Sequence, residues 1–196
     1  MLKTRLASRK LILASQSPRR KQLLEAIDLD FEVIVRSVDE KYPSGLLPSG
    51  VAEHIALAKA EVFKEDLQPD QIVITGDTVV VDEDQILGKP KNATEARAML
   101  TSLSGKKHRV VSSLCLLAAH KIVVKSDTAF VSFKSFSNEE IDFYIENYKP
   151  YDKAGGYGIQ EWLGHIGMIK LEGSYNTVMG LPTHLLYQML HDFLNE

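Results

Sequence analysis

The run Ile72–Val81 constrains the fold of this 196-residue chain more than any other stretch. It opens with three consecutive β-branched aliphatic residues, which is typical of a buried strand. Gly76 then interrupts the run, so the strand is expected to end there, directly before Asp77. Ligands of α/β proteins lie outside the carboxyl ends of such strands. Asp77 is therefore either a carboxylate placed for chemistry or an ordinary turn residue, since Asp is also common in turns.

Strands and helices alternate along the rest of the chain, which predicts the α/β class. Further strands are expected over residues 10–14, 31–35, 109–118, 122–133 and 164–171, with a hairpin over 79–87 that turns at 82–84. Helices are expected over residues 17–27, 51–67, 93–103, 137–148 and 183–194. The segments 151–160 and 173–182 are polar, glycine-containing loops. The chain length suits one large domain or two small ones.

Composition excludes several classes of function. The net charge of -3 argues against a generic nucleic-acid binder. The single cysteine, Cys115, lies in an apolar run, which rules out an intrachain disulfide or a Cys-rich metal site and predicts a buried thiol. No stretch has the length and apolarity of a membrane span, and the N-terminus lacks the pattern of a signal peptide. A cytoplasmic protein without membrane or nucleic-acid partners is expected.

The start of the first long predicted helix favours an anion. Ser17 is a good N-cap residue, and Pro18 suits the first helical position. Arg19 and Arg20 follow in the first turn, where cations oppose the helix dipole unless an anion joins them. This local misfit predicts a phosphate site; the alternative is a solvated basic turn. The pattern is not a P-loop, because G-x-x-x-x-G-K-[ST] is absent.

Other charged residues extend this candidate site. Lys59 borders the apolar face of its predicted helix, so it either extends to solvent or points into a cleft. The full set comprises cations and carboxylates: Arg19, Arg20, Lys59, Lys89, Lys153, Glu40, Asp77 and Asp152. Cations clamp phosphates, and one or two carboxylates together with substrate phosphates bind Mg²⁺. The combination indicates an enzyme acting on nucleotides or polyphosphates.

Six ordered motifs give the chain a family resemblance. They occupy residues 13–20, 58–60, 76–80, 88–90, 152–160 and 173–182. Together they resemble the Maf family of nucleotide pyrophosphatases over residues 12–190. The resemblance implies a single α/β domain over residues 1–196, with a strongly curved mixed β-sheet flanked by helices and two lobes around a central cleft. It also implies hydrolysis of a nucleoside triphosphate to the monophosphate and pyrophosphate with a divalent cation, Mg²⁺ or Mn²⁺, and it makes a homodimer one of the expected assemblies.

The resemblance also implies roles for individual residues. Asp77 matches the catalytic proton acceptor, and Glu40 with Asp77 is expected to hold the metal. Four residues of the polar cleft are expected to bind phosphates: Ser15, Arg20, Lys59 and Lys89. The branch of the family that acts on dTTP and UTP matches best, with Arg19, Thr78 and Gln160 at its specificity positions. Two other classes stay open, a nucleotide-binding regulator linked to cell division and a non-standard purine triphosphatase.

Overall fold

The computed structural model describes residues 1–195 and confirms the predicted mixed α/β class. The strands are β1 (Lys10–Leu13), β2 (Phe31–Val33), β3 (Gln71–Asp82), β4 (Gln85–Leu87), β5 (Lys107–Ala118), β6 (Lys121–Phe133) and β7 (Met168–Glu172). The α-helices are α1 (Leu2–Arg5), α2 (Pro18–Glu25), α3 (Pro48–Glu61), α4 (Ala93–Leu103), α5 (Asn138–Tyr148), α6 (Trp162–Gly167), α7 (Tyr175–Met179) and α8 (Thr183–Phe193). A 3₁₀ helix spans Ala154–Gly156.

The strands form one mixed sheet in the order β2-β1-β3-β5-β6-β7, with β4 paired to β3. Strand β1 runs parallel to both β2 and β3, and its last residue, Leu13, lies opposite Ile74 of β3. Strand β4 is antiparallel to β3, and β7 is antiparallel to β6. The parallel part of the sheet therefore ends at Leu13 and Ile74, and the chain leaves β1 there towards helix α2.

The described residues divide into two compact units. The first contains residues 1–77, 112–127 and the chain from Gly180 on, and the second contains residues 78–111 and 128–179. In the first unit, α8 packs its apolar face on a core that includes Leu13, Ile74 and Leu114. A second cluster of that unit surrounds Cys115, whose pKa burial raises to about 12. The predicted burial of the thiol is thereby confirmed.

The core of the second unit is partly aromatic. His108, Phe133 and Tyr157 pack with ring centroids 5.0–5.5 Å apart. The Nε2 atom of His108 also lies 2.7 Å from the Tyr157 hydroxyl, so the two side chains share a hydrogen bond inside the core. Helix α5 joins this core and begins with the predicted capping box of Ser137 and Glu140.

Strand β3 corrects the expectation that Gly76 ends a strand. The strand continues through Gly76 and Asp77 as far as Asp82. A Cβ on Gly76 would lie 2.6 Å from the backbone oxygen of Ser113. The glycine is therefore needed for close approach of two backbones inside the sheet, and it does not break the strand. Asp77 still lies three residues beyond Ile74, past the end of the parallel pairing with β1.

Other element boundaries also differ from the prediction. Helix α3 begins at Pro48 and ends at Glu61, where residues 51–67 were expected. The strand predicted over residues 164–171 is wrong in its first half, because Trp162–Gly167 forms a helix that buries Leu163. The second polar loop, 173–182, contains the short helix α7. Within residues 1–195, every helix is too short or too polar to cross a bilayer.

Candidate active site

Lys59 of α3 bridges two carboxylates in the first unit. Its Nζ atom lies 2.8 Å from Oδ1 of Asp77 and 2.7 Å from Oε1 of Glu40. The side chains of Lys59 and Asp77 are only 15% and 13% exposed, whereas that of Glu40 is 45% exposed. The Lys59–Asp77 pair is therefore largely shielded from solvent, which strengthens its electrostatic attraction. Lys59 therefore does not extend to solvent, and its ammonium faces the two carboxylates.

Hydrogen bonds from the sheet to the backbone of α3 position Lys59. The Thr75 hydroxyl donates to the Ala56 carbonyl at 2.5 Å, and the Ser113 hydroxyl donates to the Ala52 carbonyl at 2.5 Å. Both alanines are fully buried, so their small side chains let the helix approach the strands closely. Ala52 and Ala56 are four residues apart, so they lie on one face of the helix, and both hydrogen bonds hold that face to the sheet. The helix is thereby held in one rotation, and Lys59 is directed towards Asp77.

Ser15 and Arg20 lie at the start of α2. The Ser15 hydroxyl accepts hydrogen bonds from the Ser17 backbone N–H at 3.2 Å and from Nη1 of Arg20 at 3.4 Å. Ser17 caps the helix as predicted, since its hydroxyl accepts from the Arg20 N–H. Nε of Arg20 donates to the Gly180 carbonyl at 2.8 Å. The arginine that opposes the helix dipole is thus anchored by acceptors from two segments of the first unit, residues 15–17 and Gly180.

Electrostatics join Arg20 to the two carboxylates. Burial lowers the pKa of Arg20, while the negative charges of Asp77 and Glu40 raise it and the positive charge of Arg19 lowers it further. Arg20 and Arg19 are both half-buried. The predicted residues Ser15, Arg20, Glu40, Lys59 and Asp77 therefore belong to one cluster of the first unit, with two cations and two carboxylates at its centre.

The two carboxylates were also predicted to bind a divalent cation. Among residues 1–195, no group of three or more His, Cys, Asp or Glu side chains is placed to hold a metal ion. Glu40 and Asp77 nevertheless contact the same ammonium group, so both face one point. Mg²⁺ commonly binds through one or two carboxylates and completes its shell with water and substrate phosphates. The donor set fits a cation of that kind and does not form a cage made of protein alone.

Three predicted site residues belong to the second unit. Thr78 is half-buried on β3, and Lys89 is exposed in the segment after β4. Next to Lys89, the Gly88 carbonyl accepts the Gly155 N–H at 3.0 Å, which ties that segment to residues 151–160, the glycine-rich loop. Gln160 is half-buried, and its Oε1 atom is enclosed without a hydrogen-bond partner among residues 1–195. An enclosed amide oxygen of this kind is unusual in folded proteins.

Sequence reasoning missed a polar network beside Gln160. The Tyr144 hydroxyl donates to Oε2 of Glu161 and accepts the Gly158 N–H at 2.9 Å. Lys153 is buried, and its Nζ atom lies 3.1 Å from Oε1 of Glu161 and 2.7 Å from Oδ1 of Asp152. Lys153 and Asp152 were among the predicted charged residues, but their partners were not. Adjacency to Gln160 was the one sequence signal for Glu161.

The structure defines a mixed α/β protein whose first unit carries a cluster suited to phosphate groups at the end of a parallel strand pair. The Maf-like protein family matches residues 10–193, nearly the whole chain. This chain belongs to that family.

Individual relatives are similar over almost their entire length. A protein of Flavobacterium johnsoniae named dTTP/UTP pyrophosphatase is 46% identical over 97% of this chain and 98% of its own. A protein of Christiangramia forsetii with the same name is 44% identical, with 100% of both chains covered. Among solved structures, the Staphylococcus aureus Ham1 protein aligns with 64% of this chain and 72% of its own, with 17% identity and a TM-score of 0.47.

Proposed function

We propose that this protein is a nucleoside triphosphate pyrophosphatase that hydrolyses dTTP and UTP to the nucleoside monophosphate and pyrophosphate. The observation that carries the proposal is the shielded Lys59 ammonium between Asp77 and Glu40, with Arg20 beside them. The near-full-length similarity to proteins named for this activity supports the choice of substrate.

Cations of the chain hold the triphosphate. Arg20 and Arg19 lie at the start of α2, where backbone N–H groups and the helix dipole also attract anions. Arg20 is anchored by Gly180 and Ser15, so its guanidinium needs little reordering to meet a phosphate oxygen. Lys59 and Lys89 supply further positive charge. Ser15 offers a hydroxyl that already faces Arg20 and completes the phosphate-binding set.

Asp77 acts as the proton acceptor. Its carboxylate orients a water molecule and takes its proton as the water oxygen attacks the α-phosphorus. The bond between the α-phosphorus and the bridging oxygen to the β-phosphorus breaks, and that oxygen leaves as part of pyrophosphate. Glu40 and Asp77 would hold a divalent cation, Mg²⁺ or Mn²⁺, which when bound draws charge from the phosphate oxygens and makes water more acidic. Lys59 stabilises both carboxylates and the negative charge that develops on the phosphates.

Gln160 selects the base, supported by Thr78 and Arg19. Uracil and thymine present an N–H donor at position 3 beside a carbonyl acceptor at position 4, whereas cytosine presents an acceptor beside an amino donor. A glutamine amide offers one acceptor and one donor group side by side, which match the uracil and thymine edge. Oε1 of Gln160 is enclosed and has no donor among residues 1–195, so the side chain turns outward before the base donates to it.

The same proposal includes a cytoplasmic enzyme, because its nucleotide substrates are found there, and a homodimer as its assembly. It includes no membrane or nucleic-acid partner. Analytical ultracentrifugation at micromolar concentration measures the oligomeric state, and sedimentation as a monomer would contradict the homodimer.

Pyrophosphate release tests the function. The purified protein is incubated with Mg²⁺ or Mn²⁺ and each of dTTP, UTP, CTP, ATP, GTP, ITP and 7-methyl-GTP. We expect release from dTTP and UTP to exceed that from the others. Tight nucleotide binding without release would favour the regulator, and preference for ITP would favour a purine triphosphatase. In Gln160→Glu, the preference for UTP should be lost, and unchanged selectivity would contradict the assigned role of Gln160.

A further inference from the structure

Both carboxylate oxygens of Glu161 have partners within the second unit. Oε2 accepts from the Tyr144 hydroxyl, and Oε1 pairs with Lys153 at 3.1 Å. Tyr144 in turn accepts the Gly158 N–H, so helix α5 and the glycine-rich loop are joined through one phenol. Burial and the bond to Glu161 raise the pKa of Tyr144, so the phenol stays protonated and donates. Charge-assisted hydrogen bonds of this kind are stronger than neutral ones.

Gly158 leaves room for two side chains at one point. A Cβ on Gly158 would lie 2.8 Å from Cδ of Glu161, 2.9 Å from its Oε2 and 3.1 Å from Nε2 of Gln160. Oε2 of Glu161 and the amide nitrogen of Gln160 therefore border the same point and lie no more than about 6 Å apart. A negative charge beside the amide favours the orientation in which the NH₂ group faces it and the oxygen faces away. Oε1 of Gln160 is the atom left without a partner among the described residues.

Orientation of this amide matters for selectivity. A glutamine amide turned by 180° exchanges its acceptor and its donor. A freely turning Gln160 would match uracil in one orientation and cytosine in the other. Selection of uracil or thymine therefore requires a second group that fixes the amide, and the proposed role of Gln160 by itself does not supply one.

We propose that Glu161, held by Tyr144 and Lys153, is a positioning residue that fixes the location and amide orientation of Gln160 and thereby excludes cytosine nucleotides. The inference rests on the proposed selection of the base by Gln160. It assigns to Glu161 and Tyr144 an effect on specificity, with no direct contact to the reacting phosphates.

The test compares kcat/KM for UTP and CTP in Glu161→Gln and Tyr144→Phe. Glu161→Gln keeps the size of the side chain but removes the charge that favours one amide orientation, so the UTP-over-CTP ratio should fall about tenfold. The change should arise mainly in KM, because the groups around Asp77 are untouched. Tyr144→Phe removes one of the bonds that hold Glu161 and should lower the ratio by a smaller factor.

Tyr148→Phe is the matched control. Tyr148 lies on the same helix, stacks on Tyr144 with ring centroids 5.0 Å apart, and loses the same atom in the variant. Its ratio should equal that of the wild type. A ratio in Glu161→Gln and Tyr144→Phe within about twofold of the wild type, with a lowered melting temperature, would assign the network to stability alone and overturn the inference.

Binding separates this inference from the proposed function. If the wild-type protein hydrolyses no nucleotide, the proposed function fails. The ratio of the dissociation constants for UTP and CTP, measured by calorimetry, then replaces the ratio of kcat/KM values as the test of this inference. A wild-type preference for UTP that falls in Tyr144→Phe supports the positioning role, and an unchanged preference or no binding overturns it. The same affinity ratio in Tyr144→Phe decides the matter if Glu161→Gln does not fold.

Discussion

Replacing Lys59 with methionine should destabilise the first unit, because it leaves the Asp77 carboxylate without its cation. The methylene part of the side chain is retained in Lys59→Met, so packing changes little. Asp77 is only 13% exposed, so water replaces the lost ammonium poorly. Glu40 is 45% exposed and is solvated more easily, so its contribution is small.

The magnitude follows from the geometry of the pair. At the 2.8 Å separation of Lys59 and Asp77, Coulomb attraction with an effective dielectric constant of about 20 is about 6 kcal/mol before desolvation is subtracted. Removing one partner of a buried pair costs about 3–5 kcal/mol net, and the remaining exposure of this pair puts it near the lower end, at about 3 kcal/mol. For a chain of this length, that corresponds to a fall in melting temperature of about 6–12 °C.

Urea unfolding followed by circular dichroism measures the loss. Lys64→Met is the control, because Lys64 forms an exposed pair with Glu61 at 2.8 Å and should cost at most about 0.5 kcal/mol. The double variant Lys59→Met/Asp77→Asn should be more stable than Lys59→Met by about 1–2 kcal/mol, since the shielded carboxylate at position 77 is then neutral. A Lys59→Met variant as stable as Lys64→Met, or losses that simply add in the double variant, would refute this reasoning.

Three further predictions concern stability and reactivity. Gly76→Ala should lower the free energy of unfolding in urea by about 2 kcal/mol, because its Cβ would lie 2.6 Å from the Ser113 oxygen. Gly88→Ala is the control and should be nearly neutral, since a Cβ there would have nothing within 4 Å. Equal stability of the two variants would contradict the packing argument. Burial lowers the pKa of His108 from 6.5 to about 4, so the unfolded state binds more protons between these values and stability should fall by about 3 kcal/mol as the pH drops through them. His108→Gln should lose this part of the acid dependence in unfolding titrations, and an unchanged slope would argue against it. Cys115, whose pKa burial raises to about 12, should react with a thiol reagent only as fast as the protein unfolds, and rapid labelling of the native protein would contradict its burial.

Much of the fold follows from local patterns in the sequence. Helix α4 begins at Ala93 and ends at Leu103 as predicted, and the capping box places the start of α5 correctly. The hairpin between β3 and β4 turns after Asp82 as predicted. These features depend on residues close together in the chain. The single domain, the curved sheet and the two lobes around a cleft stay predictions from the family resemblance.

The errors arose where distant contacts override local preference. Gly76 was expected to end a strand, but the approach of Ser113 from a neighbouring strand is what requires a glycine there. The segment that begins at Gly164 was expected to be a strand, although a Cβ there would collide with the backbone of Ile159 and its first residues form a helical turn. Such contacts join residues that meet only on folding, so no local sequence pattern predicts them.

The candidate site shows the same division. The sequence identified the charged residues Lys59, Asp77 and Glu40 but left the direction of Lys59 open, because that depends on hydrogen bonds from Thr75 and Ser113 to the helix backbone. The partners of Glu161 were not predictable, since Tyr144 lies 17 residues away and the pair forms only when α5 packs on the loop.

Pyrophosphate release by Asp77→Asn tests the central claim most directly. The assay uses dTTP and UTP with Mg²⁺ or Mn²⁺, and Asp84→Asn, at the exposed turn between β3 and β4, is the control for removing a carboxylate from the same segment. Loss of a general base typically costs about 10²–10⁴-fold in rate, so Asp77→Asn should release pyrophosphate at least about a hundredfold more slowly while Asp84→Asn matches the wild type. Full activity in a folded Asp77→Asn protein would show that the Lys59–Asp77 cluster is not where the chemistry occurs.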